Sequence, residues 1–186
     1  MSVGPPALLI IDVQKAIDDP SWGNDRNNPS AEANIARLLE RWREKQWPIF
    51  HIRHVSQEPN STYRPSQPGA EFKGEVMPLA GERVIDKHTN SAFIGTALER
   101  DLRAQGINEV VITGVITNNS VEASARMAGN LGFSTFVVSD GTATFGRRDY
   151  TGRWRTASEV HAMSLANLEG EYATIMTTDE LLAHRR

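Results

Sequence analysis

The chain has 186 residues, 39% hydrophobic and 23% charged, a balance that suits one ordinary globular domain over residues 1–186 and argues against disorder. Twenty basic and twenty-three acidic residues give a net charge of −3 with no long block of either sign. The expectation is therefore no nucleic-acid face, no membrane association and a cytoplasmic location.

Cysteine is absent, so the chain as written has no disulfide, thiolate metal site or thiol nucleophile.

From the N-terminus, Ala7 to Ile11 is a continuous apolar run ending on Asp12, the pattern of a central parallel strand buried on both faces. An aspartate at the carboxyl end of such a strand lies where α/β clefts form, although it can also simply cap the next segment. Ile17 to Asn28 reads as a loop around Trp22. Ser30 is the expected cap of a helix running to about Gln46, with Ile35, Leu38, Leu39 and Trp42 on one face. Trp47 to Ile52 returns as a strand. His51 and His54 are three apart, which on a strand sends them to opposite faces, so packing or hydrogen bonding accounts for them better than a shared ion.

Gln57 to Gly81 is a long, proline-rich segment; a loop of this length in a compact domain is usually functional, often a lid or an oligomer contact. Arg83 to Asp86 is a short strand followed by Lys87, a cation that needs a carboxylate in a cleft. A helix is expected from about Thr96 to Gln105, closed by Gly106. Val110 to Thr113 is a β-branched strand broken at Gly114, and Val121, Ala125, Ala128 and Leu131 then recur at helical spacing. Between them lies the polar hinge Thr117-Asn118-Asn119-Ser120. In one register Asn119 is the N-cap and Glu122 completes a capping box, leaving the Ser120 N–H free. Ser134 to Ser139 is a fifth strand, Thr144 to Arg155 a second polar loop, and the next helix places Val160, Met163, Leu165 and Leu168 inward. A last strand, Tyr172 to Met176, precedes a short helix. Strands alternating with helices predict a mostly parallel six-stranded sheet covered on both faces.

Asp12, Lys87 and Ser120 follow the first, third and fourth of these strands, whose carboxyl ends share one edge of an open sheet. They supply a carboxylate, a cation and a hydroxyl, with backbone N–H groups from Ser120 and the Val115-Ile116 turn as an oxyanion site.

The combination ALLIIDVQ, DKHTNSAF and GVITNNSVEASARMAGNLGF, in that order, resembles the isochorismatase-like cysteine hydrolases, a family that includes nicotinamidases and N-carbamoylsarcosine amidohydrolases. The likeness runs from Ala7 to about Leu182. It implies a three-layer α/β/α, Rossmann-like fold and hydrolysis of a C–N bond in a small amide or ureido substrate. It further implies Asp12 and Lys87 as the acid/base pair, Ser120 at the nucleophile position, and a cis peptide between Val115 and Ile116 that aims the Ile116 N–H at the oxyanion. By resemblance or loop position, Gln14, Trp22, Phe93, Asn118, Asn119 and Trp154 are the expected substrate-pocket residues. Fold relatives commonly form dimers or tetramers, so a homo-oligomer acting on a small molecule is expected. The family's metal-binding members carry an Asp and two histidines near the second strand; the matching His51-Ile52-Arg53-His54 lacks the aspartate, so neither a metal nor another cofactor is expected.

The family pattern has cysteine where this chain has Ser120. A serine there fits a cysteine replaced to trap substrate, a branch that uses a serine activated by a neighbouring base, or a catalytically silent small-molecule-binding protein. Vinyl-ether hydrolysis of an isochorismate-like substrate, dependent on Asp12, is a further alternative.

Overall fold

A computed structural model describes residues 4–184. The strands are β1 (Ala7–Ile11), β2 (Ile49–His54), β3 (Arg83–Lys87), β4 (Glu109–Val115), β5 (Ser134–Ala143), the short β6 (Arg147–Arg148) and β7 (Trp154–Arg155), and β8 (Thr174–Met176). The helices are α1 (Ala31–Glu44), α2 (Leu98–Ala104), α3 (Glu122–Asn130), α4 (Ala157–Leu168) and α5 (Thr178–His184). Six strands form one sheet in the order β3-β2-β1-β4-β5-β8, and every pairing is parallel. Strand order reverses between β1 and β4, which makes their carboxyl ends the switch point of the sheet.

The alternation within β1 divides the core. Leu8 and Ile10 pack with Ile35, Leu38, Leu39 and Trp42 of α1 and Leu181 of α5. Leu9 and Ile11 pack on the opposite side with Leu98 and Leu102 of α2, Ala125 and Ala128 of α3 and Leu168 of α4. The result is the three-layer α/β/α arrangement that the sequence pattern predicts.

Local details depart from the sequence reading for identifiable reasons. Ser30 makes no capping bond; the first helical amide, of Ala31, donates to the carbonyl of Asn28 instead. The hinge does not form a capping box on Asn119. Thr117–Val121 winds as a single π-helical turn, and the Glu122 carboxylate is taken by Arg126 and Ser164. Strand β5 continues past Ser139 to Ala143 through a bulge, where its register with β4 shifts between Ile112 and Gly114. The second polar loop contains the β6–β7 hairpin. Met163 is 64% exposed, because the inward stripe of α4 is Ala157, Ser164 and Leu168. A reading by hydrophobicity alone passes over Ser164, whose buried hydroxyl is held by Thr117 and Glu122.

The long 57–81 segment is bound to the domain at several points. Lys15 N–H donates to Glu71, Lys73 N–H to Val13, and Gln14 forms an isolated bridge with Phe72. Three-ten turns at Pro68–Ala70 and Gly74–Val76 take up part of its length.

Candidate active site

Asp12 is the first residue after β1. Its N–H donates to the Ile52 carbonyl and its own carbonyl accepts from Gln14, so the backbone is held on both sides in a left-handed conformation, φ 56°. Aspartate tolerates that region better than most residues. Lys87 ends β3, two strands away. It is 1% exposed, and all three ammonium hydrogens have acceptors: Asp12 Oδ2 at 2.7 Å, the Thr89 carbonyl at 3.0 Å and Ser120 Oγ at 3.3 Å.

Ser120 arrives from β4 through a tight sequence of backbone features. Gly114 pairs with Ile11 in the sheet at φ 122°, and a Cβ on it would stand 2.1 Å from the Ile11 carbonyl oxygen. Only glycine fits there. The next peptide, Val115 to Ile116, is cis, and the π-helical turn follows directly. Ser124 Oγ accepts from the Ala92 N–H at 2.9 Å and donates to the Ser120 carbonyl at 2.7 Å, joining this turn to the segment after β3.

Helix α4 fixes the turn from outside. Ser164 Oγ donates to Glu122 Oε2 at 2.6 Å and lies 3.2 Å from the Thr117 carbonyl, and His161 Nδ1 lies 2.9 Å from Thr117 Oγ1. Burial holds the His161 imidazole below its ordinary pKa, opposed by a hydrogen bond to the backbone of Ser139. Neither residue stands out in sequence; the available signal is their i,i+3 spacing on one helix face.

Asp12, Ser120, Ile116 and Asn119 face a cavity of about 220 Å³ that His54, Tyr63 and Trp22 also line. A larger groove of about 930 Å³ runs between α4 and the β6–β7 hairpin. Its Ser164 hydroxyl and Glu122 carboxylate are tied to each other and to Arg126, whereas the smaller cavity sets a hydroxyl beside a carboxylate that keeps one oxygen without a partner. Asp12 Oδ1 is buried there without a hydrogen-bond partner. Desolvation raises the Asp12 carboxyl above the ordinary carboxylate range, while Lys87 and Ser120 pull it back.

The other expected pocket residues divide. Trp22 and Asn119 line the cavity, with Trp22 stacked on Phe145 and its indole N–H bonded to the Ala16 carbonyl. Gln14 does not: its amide is spent on the backbone of His54 and Ala70. Phe93 packs in the core against Phe133. Asn118 bonds Thr144 Oγ1 and borders the larger groove, and Trp154 sits half exposed on the hairpin beside Asp25. Sequence reasoning missed Tyr63 and His54 as pocket residues, since the first lies in the aperiodic loop and the second read as a packing histidine. His51 faces elsewhere and pairs with Glu82 at 2.8 Å. Among the described residues, no group of three or more His, Asp or Glu side chains is placed to hold a metal ion. No described helix is long and apolar enough to cross a membrane.

Comparison with known proteins gives the family. The isochorismatase domain model matches residues 6–180. The chain belongs to the isochorismatase family. It is 49% identical over 176 residues to the isochorismatase family protein YrdC of Bacillus subtilis, covering 95% of this chain and 94% of YrdC. A crystal structure of a hydrolase of the isochorismatase family from Chromobacterium violaceum superposes with a TM-score of 0.95 at 58% identity, covering 98% of this chain and 94% of that one. Nicotinamidase 3 of Arabidopsis thaliana is a more distant relative, 28% identical over 190 residues, with 94% of this chain and 86% of the relative covered. The chain is thus an isochorismatase-family hydrolase in which a serine hydroxyl and a carboxylate at one cavity share a buried ammonium.

Proposed function

We propose that this hydrolase cleaves the C–N bond of a small amide or ureido compound through an acyl-enzyme on Ser120. The observation that carries the reading is the junction of three groups: Lys87 Nζ bonded to both Asp12 Oδ2 and Ser120 Oγ, with Asp12 Oδ1 left without a partner in the cavity. A relative named as a nicotinamidase supports the reaction class.

In this mechanism Ser120 Oγ attacks the carbonyl carbon while its proton passes to Asp12 Oδ1. The oxyanion accepts hydrogen bonds from the backbone N–H groups of Ile116 and Ser120. Collapse breaks the C–N bond, and the proton held by Asp12 goes to the departing nitrogen. Water then attacks the acyl ester, gives its proton to Asp12, and the carboxylic acid leaves as Ser120 regains a proton. Desolvation raises the proton affinity of the Asp12 carboxyl, which suits it to take the proton from Ser120. Lys87 stabilises the negative charge that moves between Asp12 and the oxygen of Ser120.

The test is ammonia release across a panel of small amides with the parent chain and with Ser120→Ala, Ser120→Cys and Asp12→Ala. The mechanism predicts loss with Ser120→Ala and Asp12→Ala, and equal or higher turnover with Ser120→Cys, whose thiolate is the stronger nucleophile. Activity kept by Ser120→Ala and lost by Asp12→Ala refutes an acyl-enzyme and points to Asp12-dependent vinyl-ether chemistry. Inactivity of the parent and of Ser120→Cys on every amide, with ligand still bound, identifies a silent binding protein.

A further inference from the structure

The charges around the cavity cancel, which constrains what enters it. Among the described residues that line it, Asp12 is the only acidic or basic side chain besides His54 and Tyr63, and it is paired with Lys87 at 2.7 Å. Cations of the surrounding segments are committed to carboxylates of their own. Arg26 binds Glu32 at 2.7 Å, Lys73 is shared between Asp18 and Glu32, and Arg53 is clamped on Asp86. The cavity therefore has no spare guanidinium or ammonium to meet a ligand carboxylate. An anion taken from water into a site without a counter-ion loses several kcal/mol of hydration.

One histidine also faces the cavity, and its charge state decides the matter. His54 is at the end of β2, with its backbone N–H and carbonyl both gripped by the Gln14 amide, and its ring meets Tyr63 edge-on at 5.5 Å. Its Nδ1 is buried and has no hydrogen-bond partner. Burial, with the positive charges of Lys87 and His88 beside it, holds the imidazole down at about 4, so the ring is neutral at physiological pH. Tyr63, in contact with that ring, is neutral as well: burial and the negative charges of Asp12 and Asp18 push its phenol up. A lining with a neutral imidazole, a neutral phenol and no unpaired cation complements an uncharged ligand.

Building on the amidohydrolase reading, we infer that the cavity selects an uncharged amide, rejects amides that carry a carboxylate, and uses the His54 imidazole to bind a polar group of the ligand. A neutral imidazole can do this as donor or acceptor, according to its tautomer. His54 is then a specificity residue for the reaction.

Succinamide and succinamate form a suitable probe pair, alike in size and differing by one charge. Calorimetric titration of Ser120→Ala, which cannot turn either over under the proposed mechanism, is expected to show succinamide binding on the order of tenfold or more tighter at neutral pH. His54→Leu added to this background should lower succinamide affinity by about tenfold, whereas His54→Gln, which keeps a donor and an acceptor, should stay within about threefold. Matching melting temperatures for the variants confirm that the readout is recognition and not folding. Equal or tighter binding of succinamate, unchanged affinity in His54→Leu, or binding of neither compound overturns the inference. Selective succinamide binding by a parent chain that releases no ammonia from any amide upholds the inference while refuting the amidohydrolase reading.

Discussion

Lys87 Nζ and Asp12 Oδ2 lie 2.7 Å apart with both residues at most 4% exposed, an ion pair sealed at the switch point of the sheet. Removing one partner leaves the other as an uncompensated buried charge. Lys87→Met should therefore destabilise the fold by about 3–5 kcal/mol, besides abolishing turnover. The double variant Asp12→Asn with Lys87→Met should lose less than the sum of the single losses, because no orphan charge remains. Urea denaturation of the four proteins measures the coupling.

Gly114 should be the least replaceable residue of the nucleophile turn. Gly114→Ala puts a methyl group against the Ile11 carbonyl and imposes φ 122° on a residue with a Cβ. A loss of about 2–4 kcal/mol is expected, with activity falling further than stability because Asp12 is the neighbour of Ile11. Thermal melting and ammonia release on the same sample separate the two effects.

These features were unequally legible in the sequence. The apolar run into Asp12, the break at Gly114 and the small-residue spacing of α3 are local patterns, and they locate the layers and the Asp12, Lys87 and Ser120 ends of three strands. Tyr63 reaches the cavity from a loop with no periodicity, and nothing in its local sequence distinguishes it from a surface tyrosine. His54 reads as a packing residue until Gln14 and Tyr63 are seen around it. Apolarity alone points Met163 inward, but Ser164 has the buried position, where its hydroxyl donates to Glu122.

His161 is a positioning residue for the turn. Its imidazole spans Thr117 Oγ1 and the backbone of Ser139, so its loss frees the start of the π-helical turn without touching the cavity. His161→Phe should reduce kcat by about tenfold with little change in KM, since the orientation of the Ser120 turn bears on the transition state more than on ligand binding. His161→Asn, which can still reach Thr117 with a polar atom, should recover part of the loss. Equal KM and kcat effects in steady-state kinetics refute the positioning role.

Acid stability should depend on Glu82. Burial opposes its ionisation, but Arg43, the Leu79 N–H and His51 outweigh that and hold the carboxyl down at about 2. A depressed carboxylate contributes stability that is complete above its unfolded pKa, near 4.5, and is lost as pH falls towards the folded value. His51 acts in the same direction: burial lowers its pKa below 6.5, so its contribution too is complete above 6.5 and declines on acidification. The melting temperature should fall from about pH 6 downward, and Glu82→Gln should be less stable at neutral pH with a flatter acid limb.

The central claim is that Ser120 Oγ carries the acyl group. Acid-quenching the enzyme during turnover of a small amide, followed by peptide mass spectrometry, tests it directly. The account predicts an acyl mass increment on the peptide containing Ser120, absent from Ser120→Ala. Turnover with no adduct on that peptide, together with activity surviving in Ser120→Ala, contradicts it.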